Sequence, residues 1–214
     1  MVSGALLGIL VMMPPQSMAA GLVGAYSREG LAGWQDKLFR GTTEYTLVSE
    51  GGKTVLKAHS VKAASAKIYP IEARAQETPM LRWSWKVERT LAREDVIRKQ
   101  GDDFAARVYV VFPGTFLWQT RAINYVWAAR MPKGSIAPSP YTDHNQLVAV
   151  ETGDGESGQW KQEERNILDD YRSIFHDEPP EVGAIAVMTD TDDTQDEVTA
   201  WYGDISLGRS GVTP

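Results

Sequence analysis

The residues most suited to chemistry lie close to the C-terminus. Asp190-Thr191-Asp192-Asp193-Thr194 is followed by Asp196 and Glu197, which puts five carboxylates in one short segment. Ca²⁺ takes roughly six to eight oxygen ligands, and an acidic loop with nearby carbonyls supplies that kind of donor. Asp190, Asp192 and Asp193, with Asp204 after Gly203, are the candidate ligands of a structural Ca²⁺. The segment is not an EF-hand: a loop starting at Asp190 needs Gly and Glu where Gln195 and Trp201 stand. The competing reading is an Asx-rich turn whose side chains cap backbone N–H groups.

A second kind of chemistry is polar recognition. Arg107 and Tyr109 share one face of an alternating stretch, and Arg82, Ser84 and Lys86 share one face of another. If both stretches lie in one sheet, that face offers cationic and hydroxyl donors to a carboxylated or hydroxylated ligand. Tyr125 and Trp127 share a face, where a flat ring either stacks on a sugar or fills the core. Asn124 neighbours Tyr125, and Arg165-Asn166 precede a helical stretch. The ligand-binding set drawn from these is Arg107, Tyr109, Asn124, Trp127 and Arg165. Ion pairs such as Asp103–Arg107 or Asp170–Arg165 would explain the same residues without a ligand. For an enzyme, the carboxylate pairs available are Asp102 or Asp103 with Asp190 or Glu164. No Gly-x-Ser-x-Gly elbow, Walker loop or His-Glu-x-x-His is present.

The elements that must position these groups read as short strands separated by turn signals. Strands are predicted over 44–49 and 54–59, joined by a hairpin at Glu50-Gly51-Gly52-Lys53, and near 67–70. Met80 to Val87 alternates cleanly, with Leu81, Trp83, Trp85 and Val87 opposite Arg82, Ser84 and Lys86. Further strands fit 104–112, 122–129, 146–151, 184–189 and 198–205. Leu91 to Gln100 is charged and fits either a short helix or a loop. Ile167, Leu168, Tyr171, Ile174 and Phe175 form one helical stripe, with Asn166 at the N-cap and Asp169-Asp170 in the first turn. Many short strands with one short helix near 167–175 predict a mostly β protein. The expected architecture is a two-sheet antiparallel β-sandwich of jelly-roll type.

Composition bounds the partners. The 214 residues carry a net charge of −6, which argues against a nucleic-acid binder relying on a basic field. With Cys 0, disulfides, thiol catalysis and Cys-based metal sites are excluded, and three His far apart in sequence argue against a His-rich metal centre. Residues 1–20 contain an apolar run, Ala5 to Met13, then Pro14-Pro15 and the small residues around Ser17-Met18-Ala19. This is read as a signal peptide or export segment, although no Lys or Arg precedes the run. The expected mature chain is a single domain, 21–214, without a transmembrane span and placed in the periplasm or secreted.

The run Gly101-Asp102-Asp103-Phe104-Ala105-Ala106-Arg107-Val108-Tyr109-Val110 resembles the central motif of an uncharacterised bacterial family, domain-of-unknown-function family 3047. Asn124-Tyr125-Val126-Trp127-Ala128, Glu164-Arg165-Asn166, Asp169-Asp170-Tyr171, Met188-Thr189-Asp190-Thr191-Asp192 and Tyr202-Gly203-Asp204-Ile205 follow in that family's order. The chain departs from the pattern at Asp193, where Asn is expected, and in a short connection from Phe112 to Arg121. The resemblance implies export and carries no activity. At the level of pattern, Tyr45 to Ala58, Trp83 to Val87 and Tyr202 to Ile205 also resemble galactose-binding-like jelly rolls. The leading expectation is therefore an exported, non-catalytic domain binding a glycan or another polar envelope component. A carboxylate-dependent hydrolase or lyase of an envelope polysaccharide, and a structural envelope protein, are the alternatives.

Overall fold

The computed structural model of the protein describes residues 16–17 and 21–209. The expected export segment, 1–20, falls outside the described residues except at Gln16–Ser17. In chain order the elements are β1 (Gln16–Ser17), β2 (Gly21–Gly24), α1 (Tyr26–Glu29), β3 (Gln35–Arg40), β4 (Glu44–Glu50), β5 (Lys53–Val61), β6 (Ala64–Ala73) and β7 (Met80–Val87). They continue with β8 (Ala106–Phe112), β9 (Arg121–Ala128), β10 (Ile136–Ser139), β11 (Thr142–Thr152), β12 (Lys161–Asn166), α2 (Ile167–Phe175), β13 (Val182–Asp190), β14 (Glu197–Tyr202) and β15 (Ile205–Gly208).

The strands build two sheets, as the alternation predicts. One runs β1-β6-β13-β8-β9-β11-β10, with β3 also on β6; the other runs β2-β15-β7-β14-β5-β4, with β12 also on β7. They pack face to face over a core that takes Leu81, Trp83, Trp85 and Val87 from β7, and Val108, Val110 and Phe112 from β8. Ile123, Tyr125 and Trp127 of β9 and Ile185 and Val187 of β13 complete its centre. Each large side chain so buried contributes about 1.5–3 kcal/mol.

Among the described residues pairing is antiparallel with two exceptions. β1 joins β6 in parallel, and β9 and β11 are parallel neighbours. The second follows from the chain path: after β9 it reaches the sheet edge as β10, then turns back as β11 between the two. The expected last strand, 198–205, is broken at Gly203-Asp204. Its halves β14 and β15 both pair with β7. Gly203 N–H donates to Ser84 O at 2.9 Å there, and a Cβ on Gly203 would lie 2.2 Å from Ser84 Oγ.

α2 spans the predicted residues. Asn166 Oδ1 accepts from Leu168 N and Asp169 N, both at 3.2 Å, and His176 ends the helix in the left-handed region at φ 53°. The charged stretch 91–100 is a loop that ends in one short 3₁₀ turn, Lys99–Gly101. Among the described residues no helix is long and apolar enough to cross a membrane.

Candidate functional site

The five residues expected to bind ligand do not share a surface. Arg107 and Tyr109 on β8 and Asn124 on β9 point away from the sandwich core, yet all three are buried, Asn124 completely. The outer face of their sheet is covered. Phe104 and Met131, from the connecting segments, pack on Val126, Ala128, Leu147 and Ala149, with Val96 and Ala137 against them. Trp127 points inward instead. Its ring lies 5.9 Å from that of Trp85, and its Nε1 donates to Gly153 O at 3.1 Å. Arg165 belongs to the other sheet, where it grips Asp170 through Nε (2.9 Å) and Nη2 (2.5 Å), while Tyr125 Oη donates to the same carboxylate at 2.6 Å. The Arg165–Asp170 ion pair therefore forms as the ligand-free alternative expected.

Arg107 is the centre of a closed network. Its Nε and Nη2 reach Asp190 Oδ1 and Oδ2 at 2.8 and 2.5 Å, and Nη2 also donates to Asp102 O at 2.5 Å. Nη1 faces Asp102 Oδ1 at 3.3 Å, and the guanidinium lies 4.4 Å from the Phe104 ring centroid. The pairing is with Asp102 and Asp190, not with Asp103. Burial pushes the Asp102 carboxyl up to about 6, opposed by Arg107. Asp190 is raised well above the carboxylate range by burial as well, again opposed by Arg107.

The four predicted metal ligands also separate. Asp190 is held by Arg107, and Asp204 accepts from Ser27 N at 2.9 Å and from Ser27 Oγ. Asp192 and Asp193 stay together and are joined by Asp103, their carboxylate oxygens lying within 4.8 Å of one another. Nothing in local spacing marks Asp103 as a partner, because it arrives from the turn before β8.

The open polar face lies on the opposite sheet. Arg82, Ser84 and Lys86 project outward from β7, so the pairing of this face with Arg107 and Tyr109 in one sheet is corrected: β7 and β8 lie in different sheets. Trp201 of β14 stands opposite Lys86. The Lys86 ammonium sits 4.1 Å from the Trp201 ring centroid and 5.6 Å from that of Trp160, and is fixed by an ion pair to Glu50. Beside this row opens a cleft of about 540 Å³, lined by Glu50, Lys53, Ser84, Trp160, Gln162 and Asp204 among others. Trp160 is 38% exposed at its edge. Sequence reasoning passed over Trp160, Glu50 and Gln162. The available signal was a tryptophan in an otherwise polar turn, Gly155-Glu156-Ser157-Gly158-Gln159, where no core position is expected.

Residues 32–206 match the model of a family described as "Protein of unknown function (DUF3047)". No curated protein matches the chain. Among solved structures, the chain is similar to a family 30 carbohydrate-binding module of a Clostridium thermocellum cellulosomal cellulase. That match is 10% identical with a TM-score of 0.47, and it covers 84% of this chain and 93% of the module. It is also similar to the xyloglucanase domain of NopAA, a type three effector from Sinorhizobium fredii: 10% identity, TM-score 0.47, 81% and 92% covered. A third likeness is to a β-1,2-glucanase from Parabacteroides distasonis, at 11% identity and a TM-score of 0.45, over 90% of this chain and 24% of the enzyme.

Proposed function

The chain belongs to the DUF3047 family, and on the geometry of its open face we propose that it is an exported, non-catalytic protein that binds a glycan in the cleft beside Trp160. The observation that carries this reading is a half-exposed indole at the edge of a cleft that also presents amide, hydroxyl, ammonium and carboxylate side chains beside Val55. A pyranose has one face of C–H groups and a rim of hydroxyls. The indole face suits the first, and Gln162, Ser84, Lys53, Glu50 and Asp204 suit the second as donors and acceptors. Lys86, paired with Glu50 and set against the Trp160 ring from outside the lining, holds these two lining side chains in one arrangement before ligand arrives, which lowers the ordering cost of binding. Glu50 is committed to Lys86 and Asp204 to Ser27, an arrangement that suits fixed hydrogen-bond acceptors better than a proton-exchanging pair.

Titration calorimetry against neutral and acidic polysaccharides tests the proposal, with wild type, W160A and W118A compared. Trp118 is the control, since it is 68% exposed in the loop between β8 and β9 and lies outside the cleft lining. Removing a tryptophan that stacks on the ligand costs about 2 kcal/mol, roughly thirtyfold in Kd. W160A should show that loss and W118A should bind as wild type. Unchanged binding by W160A, or loss in W118A alone, refutes the cleft. Release of reducing ends from a bound polysaccharide would replace binding with hydrolysis.

A further inference from the structure

We propose that the loop between β8 and β9 docks the protein on the surface of a zwitterionic phospholipid bilayer through Phe116, Leu117 and Trp118. These three side chains are 52%, 54% and 68% exposed. Among the described residues no other stretch exposes large apolar side chains at consecutive positions. A single exposed hydrophobe is ordinary, whereas a contiguous apolar tip marks a surface that meets something.

The loop is built to hold that tip outward. Phe116 N donates to Gln119 Oε1 at 3.2 Å, Gln119 N donates to Phe116 O at 2.9 Å, and Gly114 N donates to Thr120 Oγ1 at 3.3 Å. Gly114 packs so closely that a Cβ there would lie 2.5 Å from the Cβ of Gln119. Gln119 and Thr120 thus turn their acceptors back into the loop while the apolar side chains face out. The Phe116 and Trp118 rings stack at 4.6 Å with 1° between their planes, which makes them one rigid aromatic unit.

Charge, area and polarity select the occupant. Residues 113–120 contain no Asp, Glu, Lys or Arg, and the Arg121 that follows is paired with Asp177 at 3.0 Å. An uncharged aromatic tip suits the interfacial layer of a bilayer, where Trp rings reside and no complementary charge is needed. Half to two-thirds of three side chains of this size amounts to about 300 Å². A stable protein interface takes about 800 Å² from each partner, so the tip is too small to hold a second copy. A glycan finds little to bind, because the three side chains carry one polar atom, the Trp118 indole nitrogen. The loop lies outside the lining of the Trp160 cleft, so each reading stands without the other.

The test uses the full chain with phosphatidylcholine vesicles, followed by co-sedimentation and by quenching of tryptophan fluorescence with brominated acyl chains. Wild type should partition onto the vesicles, and F116S/L117S/W118S should lose about tenfold or more in partition while melting as wild type does. W118F keeps an aromatic ring and should stay within about threefold of wild type, yet lose most of the quenching. I97S removes an isolated side chain, 83% exposed in the loop before β8, and should bind as wild type. Partition should stay constant from about 0.05 to 0.5 M NaCl, since no charge is involved. The proposal is overturned if wild type stays in the supernatant, if I97S loses as much as the triple variant, or if W118F is quenched like wild type. It is equally overturned if binding requires anionic lipid and disappears with salt, or if the triple variant alters self-association and not partition.

Discussion

Replacing Arg107 by Met tests the closed face directly. The guanidinium makes a two-point contact with Asp190, at 2.8 and 2.5 Å, and further bonds to the Asp102 carbonyl and carboxylate. Met retains much of the apolar stem and its packing but removes every donor. At pH 7 Asp190, 1% exposed, keeps its bond from Phe104 N at 3.1 Å and loses its countercharge. Breaking a buried pair from one side costs about 3–5 kcal/mol. At roughly 2–4 °C per kcal/mol for a domain of this size, Tm should fall by about 6–20 °C. The R107M/D190N double variant removes the stranded charge as well, so it should recover at least half of the loss, a coupling that independent sites would not show. R107M should also regain stability as pH falls, because protonation neutralises Asp190. Urea denaturation followed by tryptophan fluorescence, in EDTA, measures all three. A cost for R107M below about 1 kcal/mol, or a double variant no better than the single one, would refute the closed network.

Two further predictions concern the loop before β8. Glu94 is buried where its Oε2 accepts from Ala129 N at 2.7 Å, and burial pushes its carboxyl up to about 7. The folded state therefore holds this proton more tightly than the unfolded one, and stability should fall as pH rises from about 4.5 to 7; moving the group from 4.5 to about 7 corresponds to about 3 kcal/mol. E94Q keeps an acceptor without the charge and should flatten that part of the pH–stability curve, read by melting from pH 4 to 8. An unchanged curve would contradict the assignment. Gly101 packs so closely that a Cβ would lie 2.6 Å from both the backbone N and the Cβ of Asp95. Since backbone cannot rotate away, G101A should cost about 1–3 kcal/mol in urea denaturation. If G101A is as stable as wild type, the loop is not held as described.

Much of the scaffold was legible. The alternation over 80–87 gave the inner and outer faces of β7 correctly, and Asn166 with the apolar stripe marked α2 to its ends. Edge strands were not legible. β12 reads Lys-Gln-Glu-Glu-Arg-Asn, so its backbone pairing with β7 decides its conformation and no apolar alternation reports it. The short charged strand β3, on the edge of β6, was missed for a similar reason. The acidic loop was visible as composition, but its partition was not: Arg107 claims Asp190, Ser27 claims Asp204, and Asp103 enters from a distant turn.

The instructive failure is the pairing of Arg82 with Arg107 on one face. Each arginine occupies an outward position of a clean alternating strand, so the two strands carry equivalent local patterns. Their fates diverge because of what the chain lays over them. The segments around Phe104 and Met131 cover the outer face at β9 and β11, and Phe104 lies against the Arg107 guanidinium of β8, whereas β7 is flanked by β12, β14 and β15, with a cleft open beside its outer face. On the closed face a charge must find partners from the protein, and Arg107 takes two carboxylates and a carbonyl. On the open face Arg82 pairs with Glu164 at 2.5 Å, while Ser84 lines a cleft that a ligand can enter. Alternation tells which side of a strand is polar. Whether that side serves stability or recognition depends on segments far away in the chain, which is why Trp160, coming from a turn, marks the open cleft better than any residue of the strands beneath it.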